Sequence, residues 1–326
     1  MGSIVLPMRI LIPGGFGFVG SRLATHLACA GHRVVLGTRK ALPPPEWLPK
    51  AEVRQIDWDD TASIRRSCLG IDTVVHAGGM NAQDCTADPA AALAINGLAT
   101  TRLVWSAVEE NVNRFIYIST AHVYASPLTG TITEQTCPNN LHPYATSHLA
   151  GEMAVLHARQ QGRIQGIVLR LSNAFGAPMD TASHCWTLFV NDLCRQAVLE
   201  RTMRLRTSGM QLRDFVGLSE VCRISEKLIL GMGDSVPTGI FNVGSGKSLT
   251  LLEMAGLIRE RCGLLFGYEP ELQAAPVETN EKQEHLSFRI ENLASIGIDV
   301  TPTDTSEELD QLLRYCKNKF LPANCE

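Results

Sequence analysis

The sequence predicts an α/β fold, with a doubly wound parallel sheet joined to a smaller, mixed lobe in the C-terminal part. Three observations lead to this prediction. Short apolar runs alternate with helix-length segments, a glycine-rich turn follows the first run, and the alternation becomes irregular after Asn173. With 45% hydrophobic and 19% charged residues, the 326-residue chain has the composition of a folded globular protein.

The apolar runs are interpreted as parallel strands and the longer segments as crossover helices. Strands are predicted at residues 9–12, 33–36, 53–56, 73–76, 114–119 and 166–171, with a seventh at 239–243 and a short one at 203–206. Helices are predicted at residues 21–30, 90–110, 144–160 and 186–200. We therefore expect residues 1–173 and 212–244 to form the sheet domain, and residues 174–211 and 245–326 to form the lobe.

Charge and cysteine usage exclude several classes of partner. The chain has 29 Lys and Arg residues against 33 Asp and Glu residues, a net charge of −4, without a block of like charge. Nucleic acid and membrane surfaces are therefore not expected as partners. No apolar run reaches the roughly 18 residues of a membrane span, and we expect a cytoplasmic protein. The ten cysteines form no C-x-x-C pair, so no metal site is predicted.

The turn after the first strand carries the chemistry of a phosphate site. Residues 13–20 read P-G-G-F-G-F-V-G, which fits G-x-G-x-x-G from Gly15 and G-x-x-G-x-x-G from Gly14. Glycine allows a tight turn and close approach of the backbone to a pyrophosphate, and the following helix points free N–H groups at it. A Rossmann dinucleotide-binding domain is predicted, with its phosphates held by the turn residues Gly14, Gly15, Phe16, Gly17, Phe18 and Val19.

The end of the second strand predicts which dinucleotide binds. An acidic residue there would favour NAD and an arginine would favour NADP. The sequence reads G-T-R-K at residues 37–40, with Arg39 and no acid. NADP(H) is therefore the favoured cofactor and NAD(H) the alternative, unless Arg39 is only a solvated loop residue.

In this order and spacing, the motifs resemble the extended short-chain dehydrogenase/reductases of the nucleotide-sugar epimerase and dehydratase group. The resemblance covers most of the chain. It implies that further residues line the cofactor, namely Asp57, Trp58, Ala77, Gly78 and Asn96. The segments 118–124 and 143–148 resemble the family's Ser/Thr and tyrosine motifs, and 169–176 and 213–216 resemble its substrate-diphosphate elements.

The resemblance assigns the proton chemistry to Tyr144 as acid/base, with Thr120 holding the substrate oxygen. The family pattern Tyr-x-x-x-Lys requires lysine where this chain has His148. A histidine can bind the nicotinamide ribose beside Tyr144, but a neutral one cannot lower the tyrosine pKa as a cation does. We expect His148 to be neutral unless a neighbour such as Glu152 raises its pKa, and we expect an alkaline-shifted Tyr144 and slow hydride transfer.

Two further histidines are candidates for proton transfer beside a ketone. In the family's 4,6-dehydratases an Asp-Glu pair follows the threonine, whereas this chain has Ala121 and His122, which argues against a dehydratase. His122 resembles the titratable residue of fucose synthases, and His184 matches a second histidine there. Either residue could instead be a structural histidine.

The resemblance also implies a diphosphate site and an oligomer. Asn173 and Arg213 would hold the substrate diphosphate, with a salt bridge between Arg213 and Asp214 as the competing interpretation. Helices 90–110 and 144–160 are those with which family members form a four-helix bundle, so a homodimer is expected.

The sequence thus predicts an NAD(P)-dependent reductase or epimerase acting at carbon 4 of a nucleotide-linked sugar. Two alternatives remain open at this stage. One is a reductase of a small ketone or aldehyde that carries no nucleotide. The other is a regulatory NADP(H)-binding protein that lost catalysis with the lysine.

Overall fold

The computed structural model describes residues 7–231, 239–276, 284–300 and 305–321. The strands are β1 (Arg9–Pro13), β2 (Arg33–Thr38), β3 (Glu52–Gln55), β4 (Thr73–His76), β5 (Arg114–Thr120), β6 (Gly130–Ile132), β7 (Gln165–Leu171), β8 (Asn173–Phe175), β9 (Thr202–Arg204), β10 (Leu212–Gly217), β11 (Ile240–Val243), β12 (Ser248–Thr250), β13 (Glu271–Gln273) and β14 (Leu286–Phe288). The helices are α1 (Phe18–Cys29), α2 (Thr61–Cys68), α3 (Ala82–Ala87), α4 (Pro89–Ala92), α5 (Thr100–Glu109), α6 (Pro143–Gln160), α7 (Phe189–Leu199), α8 (Leu218–Leu230), α9 (Leu251–Phe266), α10 (Glu291–Ser295) and α11 (Thr305–Phe320).

The seven long strands form one parallel sheet in the order β11-β7-β5-β4-β1-β2-β3. The predicted doubly wound fold is confirmed, and the seven predicted strands occupy it with ends that differ by one or two residues. The strand order reverses between β1 and β4. In such sheets the crevice at the carboxyl ends of the strands beside this point is where ligands bind.

Alternate residues of each strand face opposite sides of the sheet, so each side buries its own core. On one side Ile10 and Ile12 pack with helices α1 and α8. On the other side Leu11 packs with α2, α5 and α6. Because both faces are covered, the central strands are apolar along nearly their whole length.

The predicted helix 90–110 is not one regular α-helix. A π-helical segment, Leu93–Ala99, joins α4 to α5. By length and composition the combined helix Pro89–Glu109 could cross a membrane, but its apolar stretch is more than half buried in the protein. It packs against α6 and α2, as a core helix of the sheet domain does.

The lobe has its own apolar core and small sheets. Helices α7, α9 and α11 pack together, and β12-β10-β8 form a three-stranded sheet beside them. The predicted strand at 203–206 is observed as β9, which pairs with β13. The predicted helix from 186 begins at Phe189, after an extended Leu188. Strand β10, which begins at the predicted boundary at residue 212, pairs with β8 and β12. The predicted domain boundaries stay a prediction.

A buried ion pair connects α6 to the sheet. The guanidinium of Arg170 on β7 donates to both carboxylate oxygens of Glu152, at 2.6 to 3.1 Å, and both side chains are almost fully buried. Ser119 on β5 donates to the same carboxylate. Arg170 also lies over the ring of Tyr124, 4.7 Å from its centroid. Removing one partner of such a pair costs roughly 3–5 kcal/mol, because the other charge stays buried.

Candidate active site

A cavity of about 830 Å³ opens at the carboxyl ends of the central strands and extends to the lobe. Most of the residues predicted for the site line this cavity. They are Phe16, Gly17, Phe18, Val19, Arg39, Ala77, Gly78, Thr120, His122, Tyr144, His148, Asn173, His184 and Arg213. The fold therefore brings most of the predicted cofactor, catalytic and substrate residues to one cavity.

The glycine turn forms one end of this cavity. Gly14 has a positive φ of 81°, and a Cβ there would lie 2.5 Å from the backbone nitrogen of Gly78. A Cβ at Gly20 would lie 2.2 Å from the carbonyl oxygen of Gly14. Side chains at these two positions would push β1, α1 and the end of β4 apart. Because both residues are glycine, the N-terminus of α1 lies close to the cavity. Gly14 and Gly15 shape the turn from behind and do not themselves line the cavity.

Asn96 also lies behind the cavity. It is fully buried in the π-helical segment, and its Oδ1 accepts a hydrogen bond of 2.8 Å from the backbone nitrogen of Met80. Its Nδ2 donates to the Oγ of Ser147 at 3.0 Å. The amide thus ties the loop after β4 to α6, and so fixes the wall that carries Tyr144 and His148.

Asp57 and Trp58 lie outside the large cavity. Asp57 is exposed and borders a separate cleft of about 470 Å³ with Arg54 and Asp60. The ring of Trp58 packs 5.9 Å from that of His76, which ends the central strand β4. Their predicted role at the adenine end of a cofactor remains a prediction.

Thr120 and Tyr144 form the catalytic candidate pair. Thr120 ends β5, and its Oγ1 accepts a hydrogen bond of 3.1 Å from the backbone nitrogen of His122. Tyr144 lies in the first turn of α6, after Pro143 and the capping residue His142. Burial raises the pKa of Tyr144 above its ordinary value, and hydrogen bonding to Thr120 only partly offsets this. The expected alkaline shift of the tyrosine agrees with this environment.

His148 lies one helical turn after Tyr144, with the two rings edge to face at 4.6 Å. It is only 6% exposed, and burial lowers its pKa to about 4. Glu152 does not supply the compensating charge considered from the sequence, because Arg170 and Ser119 hold its carboxylate. His148 is therefore neutral at pH 7, and its Nδ1 lies 2.9 Å from the hydroxyl of Tyr117.

The two other histidines differ in their surroundings. His122 is half-buried, and burial, followed by the positive charge of Arg213, lowers its pKa. It is therefore neutral at pH 7 and able to accept a proton. His184 is exposed, in the segment that joins β8 to α7. Both border the same cavity.

Arg213 does not pair with its neighbour. Asp214 is fully buried and accepts hydrogen bonds from the backbone nitrogen and the Oγ of Ser245, at 2.9 and 3.0 Å. Within the described part of the chain Arg213 makes no ion pair, and its side chain is exposed at the cavity. The Nδ2 of Asn173 donates to the carbonyl oxygen of Asp214 at 2.8 Å. The salt-bridge interpretation of Arg213 is wrong, since Asp214 has other partners.

Sequence reasoning missed several residues that line the cavity. Trp47 packs edge-on against Phe16, with ring centroids 6.2 Å apart, and borders the cofactor end. Asp84 and Phe189 also lie on the wall. None of the three belongs to a recognisable motif, and loop residues such as Trp47 reach the site only through the fold.

Comparison with known proteins identifies the family. A model of the NAD dependent epimerase/dehydratase family matches residues 10–244, so the chain belongs to this family and is an enzyme. It is 29% identical over 267 residues to a dTDP-6-deoxy-L-talose 4-dehydrogenase (NAD(P)(+)) of Kitasatospora kifunensis, a match that covers 79% of this chain and 80% of the relative. It is 26% identical over 273 residues to a dTDP-glucose 4,6-dehydratase of an Actinoplanes species, covering 78% and 82%.

Solved structures confirm the fold. A UDP-N-acetylglucosamine 4-epimerase from Methanobrevibacter ruminantium superimposes with a TM-score of 0.79 at 21% identity, over 95% of this chain and 98% of that one. MoeE5 in complex with UDP-glucose and NAD gives a TM-score of 0.74 at 24% identity, over 95% and 99%.

The buried neutral His148 predicts how stability depends on pH. Its pKa is about 4 in the folded protein, against roughly 6.5 in an unfolded chain. The unfolded state therefore binds the proton first, and the free energy of unfolding falls as the pH drops from about 6.5 to 4, by roughly 1.4 kcal/mol per unit. Urea unfolding of His148→Gln should show a pH slope smaller by about this amount.

The exposed His184 provides the matched control for this measurement. His184→Gln should keep the slope of the wild type. An unchanged slope in His148→Gln would show that His148 binds its proton equally well in the folded and unfolded states.

Proposed function

We propose that the protein is an NAD(P)-dependent oxidoreductase or epimerase that acts at carbon 4 of a nucleotide-linked sugar. The observation that carries this proposal is the composition of one cavity. Thr120, Tyr144 and His148 lie on the sheet side, the glycine turn lies at one end, and Arg213 and Asn173 lie toward the lobe. This arrangement suits a ligand that is a carbinol or ketone at one end and a diphosphate at the other.

The glycine turn between β1 and α1 has the shape that a bound dinucleotide requires. A Cβ at Gly14 or Gly20 would collide with backbone, and α1 presents its free N–H groups there. A bound nicotinamide accepts or returns a hydride at the sugar carbon. The protein's own part is to move the accompanying proton, which Tyr144 takes from the sugar hydroxyl or gives to the keto oxygen. Thr120 holds that oxygen in place.

His122 and His184 are proposed to act beside the carbonyl. A neutral imidazole can remove a proton from the adjacent carbon or return one to it, which epimerisation requires. The absence of an acidic pair at Ala121 and His122 supports this reaction over water elimination. The dehydratase among the relatives therefore does not decide the reaction of this chain.

A kinetic comparison of two variants tests the proposed reaction. Purified protein is incubated with NAD(P)(H) and 4-keto or 4-hydroxy nucleotide sugars, and products are identified by mass. Tyr144→Phe should lower kcat roughly 100-fold or more, since it removes the proton carrier. Arg213→Ala should raise KM for the nucleotide sugar roughly 10- to 100-fold, since it removes a charge-assisted contact to phosphate.

The two alternatives give different results. An unchanged KM in Arg213→Ala would favour a reductase of a small ketone without a nucleotide. Binding of dinucleotide with no turnover, and no rescue by His148→Lys, would favour a regulatory protein.

For the cofactor we propose a preference for NADP(H), with NAD(H) as the alternative. The support is local: Arg39 borders the cavity at the end of β2, where no acid stands. The relative from Kitasatospora kifunensis is named for NAD(P)(+) and the MoeE5 structure contains NAD, so the comparisons do not favour NADP(H).

Titration with both reduced cofactors tests the role of Arg39. Arg39→Asp should weaken NADPH binding roughly 10-fold or more relative to NADH, because a carboxylate repels the 2′-phosphate and accepts from a ribose hydroxyl. Arg33 is exposed at the opposite end of β2, so Arg33→Asp is the matched charge reversal and should leave the ratio unchanged. If both variants changed the ratio of NADPH to NADH binding equally, Arg39 would not select the cofactor.

We further propose a homodimer formed through α6 and the combined helix Pro89–Glu109, which consists of α4, the π-helical segment and α5. Three large apolar side chains are exposed there, Leu93 at 54%, Leu98 at 49% and Met153 at 47%. Adjacent helices with exposed apolar side chains are typical of a helical interface.

Light scattering after size-exclusion chromatography tests the dimer. The wild type should have a mass twice the 35.5 kDa of the chain. The double variant Leu98→Glu, Met153→Glu should elute as a monomer, because it places charges in the buried contact. Leu264→Glu changes a leucine that is 67% exposed on α9 in the lobe, and should leave the dimer intact. A dimer in both variants would place the interface elsewhere.

A further inference from the structure

His148 has a hydrogen-bond partner that the sequence did not reveal. Its Nδ1 lies 2.9 Å from the hydroxyl of Tyr117, and the two rings stack with centroids 5.8 Å apart. Tyr117 lies on β5, three residues before Thr120, and is fully buried. This contact therefore joins the strand that carries Thr120 to the helix that carries Tyr144, behind the cavity wall.

The surroundings of Tyr117 decide the direction of this hydrogen bond. Two other groups among the described residues interact with this hydroxyl: the carbonyl oxygen of Asn96, at the longer distance of 3.5 Å, and the side chain of Thr100. The ring also stacks on His76, 5.5 Å away, whose Nε2 lies 3.0 Å from the Oγ1 of Thr100. A neutral imidazole has one accepting nitrogen, and a phenol donates one hydrogen. The shorter distance favours donation of that hydrogen to Nδ1 over donation to the carbonyl oxygen of Asn96.

This direction places the imidazole hydrogen on Nε2, the nitrogen that faces Gly79. A Cβ built on Gly79 would lie 3.6 Å from Cε1 and 3.7 Å from Nε2 of His148. Gly79 and His148 both line the cavity. The N–H of Nε2 is therefore available at the cavity wall beside Tyr144.

We propose that Tyr117 is a positioning residue that holds His148 in the tautomer with hydrogen on Nε2, so that His148 donates a hydrogen bond into the cavity. A lysine ammonium donates in any rotation, whereas a neutral histidine donates from one nitrogen only and needs a partner to select it. The identity of the acceptor, a ribose hydroxyl of the nicotinamide cofactor, rests on the proposed function. The tautomer itself does not depend on it.

The tautomer can be read directly by nitrogen-15 NMR of protein labelled at histidine, at neutral pH without ligand. The His148 signals are assigned by their loss in His148→Gln. The wild type should show an unprotonated Nδ1 and a protonated Nε2. Tyr117→Phe keeps the stacked ring and removes the hydroxyl, so His148 should become a mixture of tautomers. Tyr124→Phe is the matched control, since it removes an equally buried hydroxyl that donates to Asn242 at 2.8 Å, and should leave the His148 signals unchanged.

Once His148→Gln has assigned the signals, a protonated Nδ1 in the wild type would overturn the proposal whether or not Tyr117→Phe folds. Dinucleotide titration supplies the second readout. Tyr117→Phe should raise the dissociation constant of NAD(P)H roughly 5- to 10-fold, with the Tyr124→Phe value near that of the wild type. An unchanged constant in Tyr117→Phe would also contradict the proposal. If the wild type binds no dinucleotide, the proposed function fails, and the NMR signature alone decides the role of Tyr117.

Discussion

The ion pair between Arg170 and Glu152 determines the electrostatics of the cavity wall. Tyr144, His148 and Glu152 follow one another at one-turn intervals along α6, so the carboxylate could have served as the counter-charge of the histidine. The guanidinium of Arg170 on β7 donates to both oxygens of this carboxylate. Burial of His148 is therefore not compensated by Glu152, and the wall contains a neutral imidazole at the position where the family pattern has a cation.

This constraint shapes the chemistry of Tyr144. With no positive charge at His148, burial dominates and raises the tyrosine pKa. A protonated tyrosine is ready to give its proton to a keto oxygen, whereas the reverse reaction must first remove that proton. The same neutrality makes the hydrogen bond from Tyr117 important, because a neutral histidine donates from only one nitrogen.

The sequence was sufficient to predict the large sheet and most of the cavity wall. Strands such as β1 and β4 are buried on both faces, so they appear as continuous apolar runs, and the glycine turn between β1 and α1 has a strict spacing. The three-residue strands of the lobe were mostly missed because they are too short to show a period. The irregularity in helix 90–110 could not be predicted either, since a π-helical segment depends on packing rather than on local preference.

The contacts that decide protonation also lay beyond the sequence. Glu152 and Arg170 are 18 residues apart, and Tyr117 and His148 are 31 apart. Nothing in their spacing marks them as partners. Only the register of β5 beside β7, with α6 packed across both, brings these side chains together. The salt bridge between Arg213 and Asp214, which was the competing interpretation of Arg213, is not formed because adjacent residues on β10 point to opposite faces.

The pH dependence of hydride transfer to bound NAD(P)+, compared between the wild type and His148→Lys, tests the central claim most directly. The transfer is followed in a single turnover by the absorbance of the reduced nicotinamide. If a neutral His148 leaves Tyr144 without electrostatic help, the lysine variant should shift the tyrosine limb of the profile to lower pH by about one unit or more. Identical limbs in the two proteins would contradict the account.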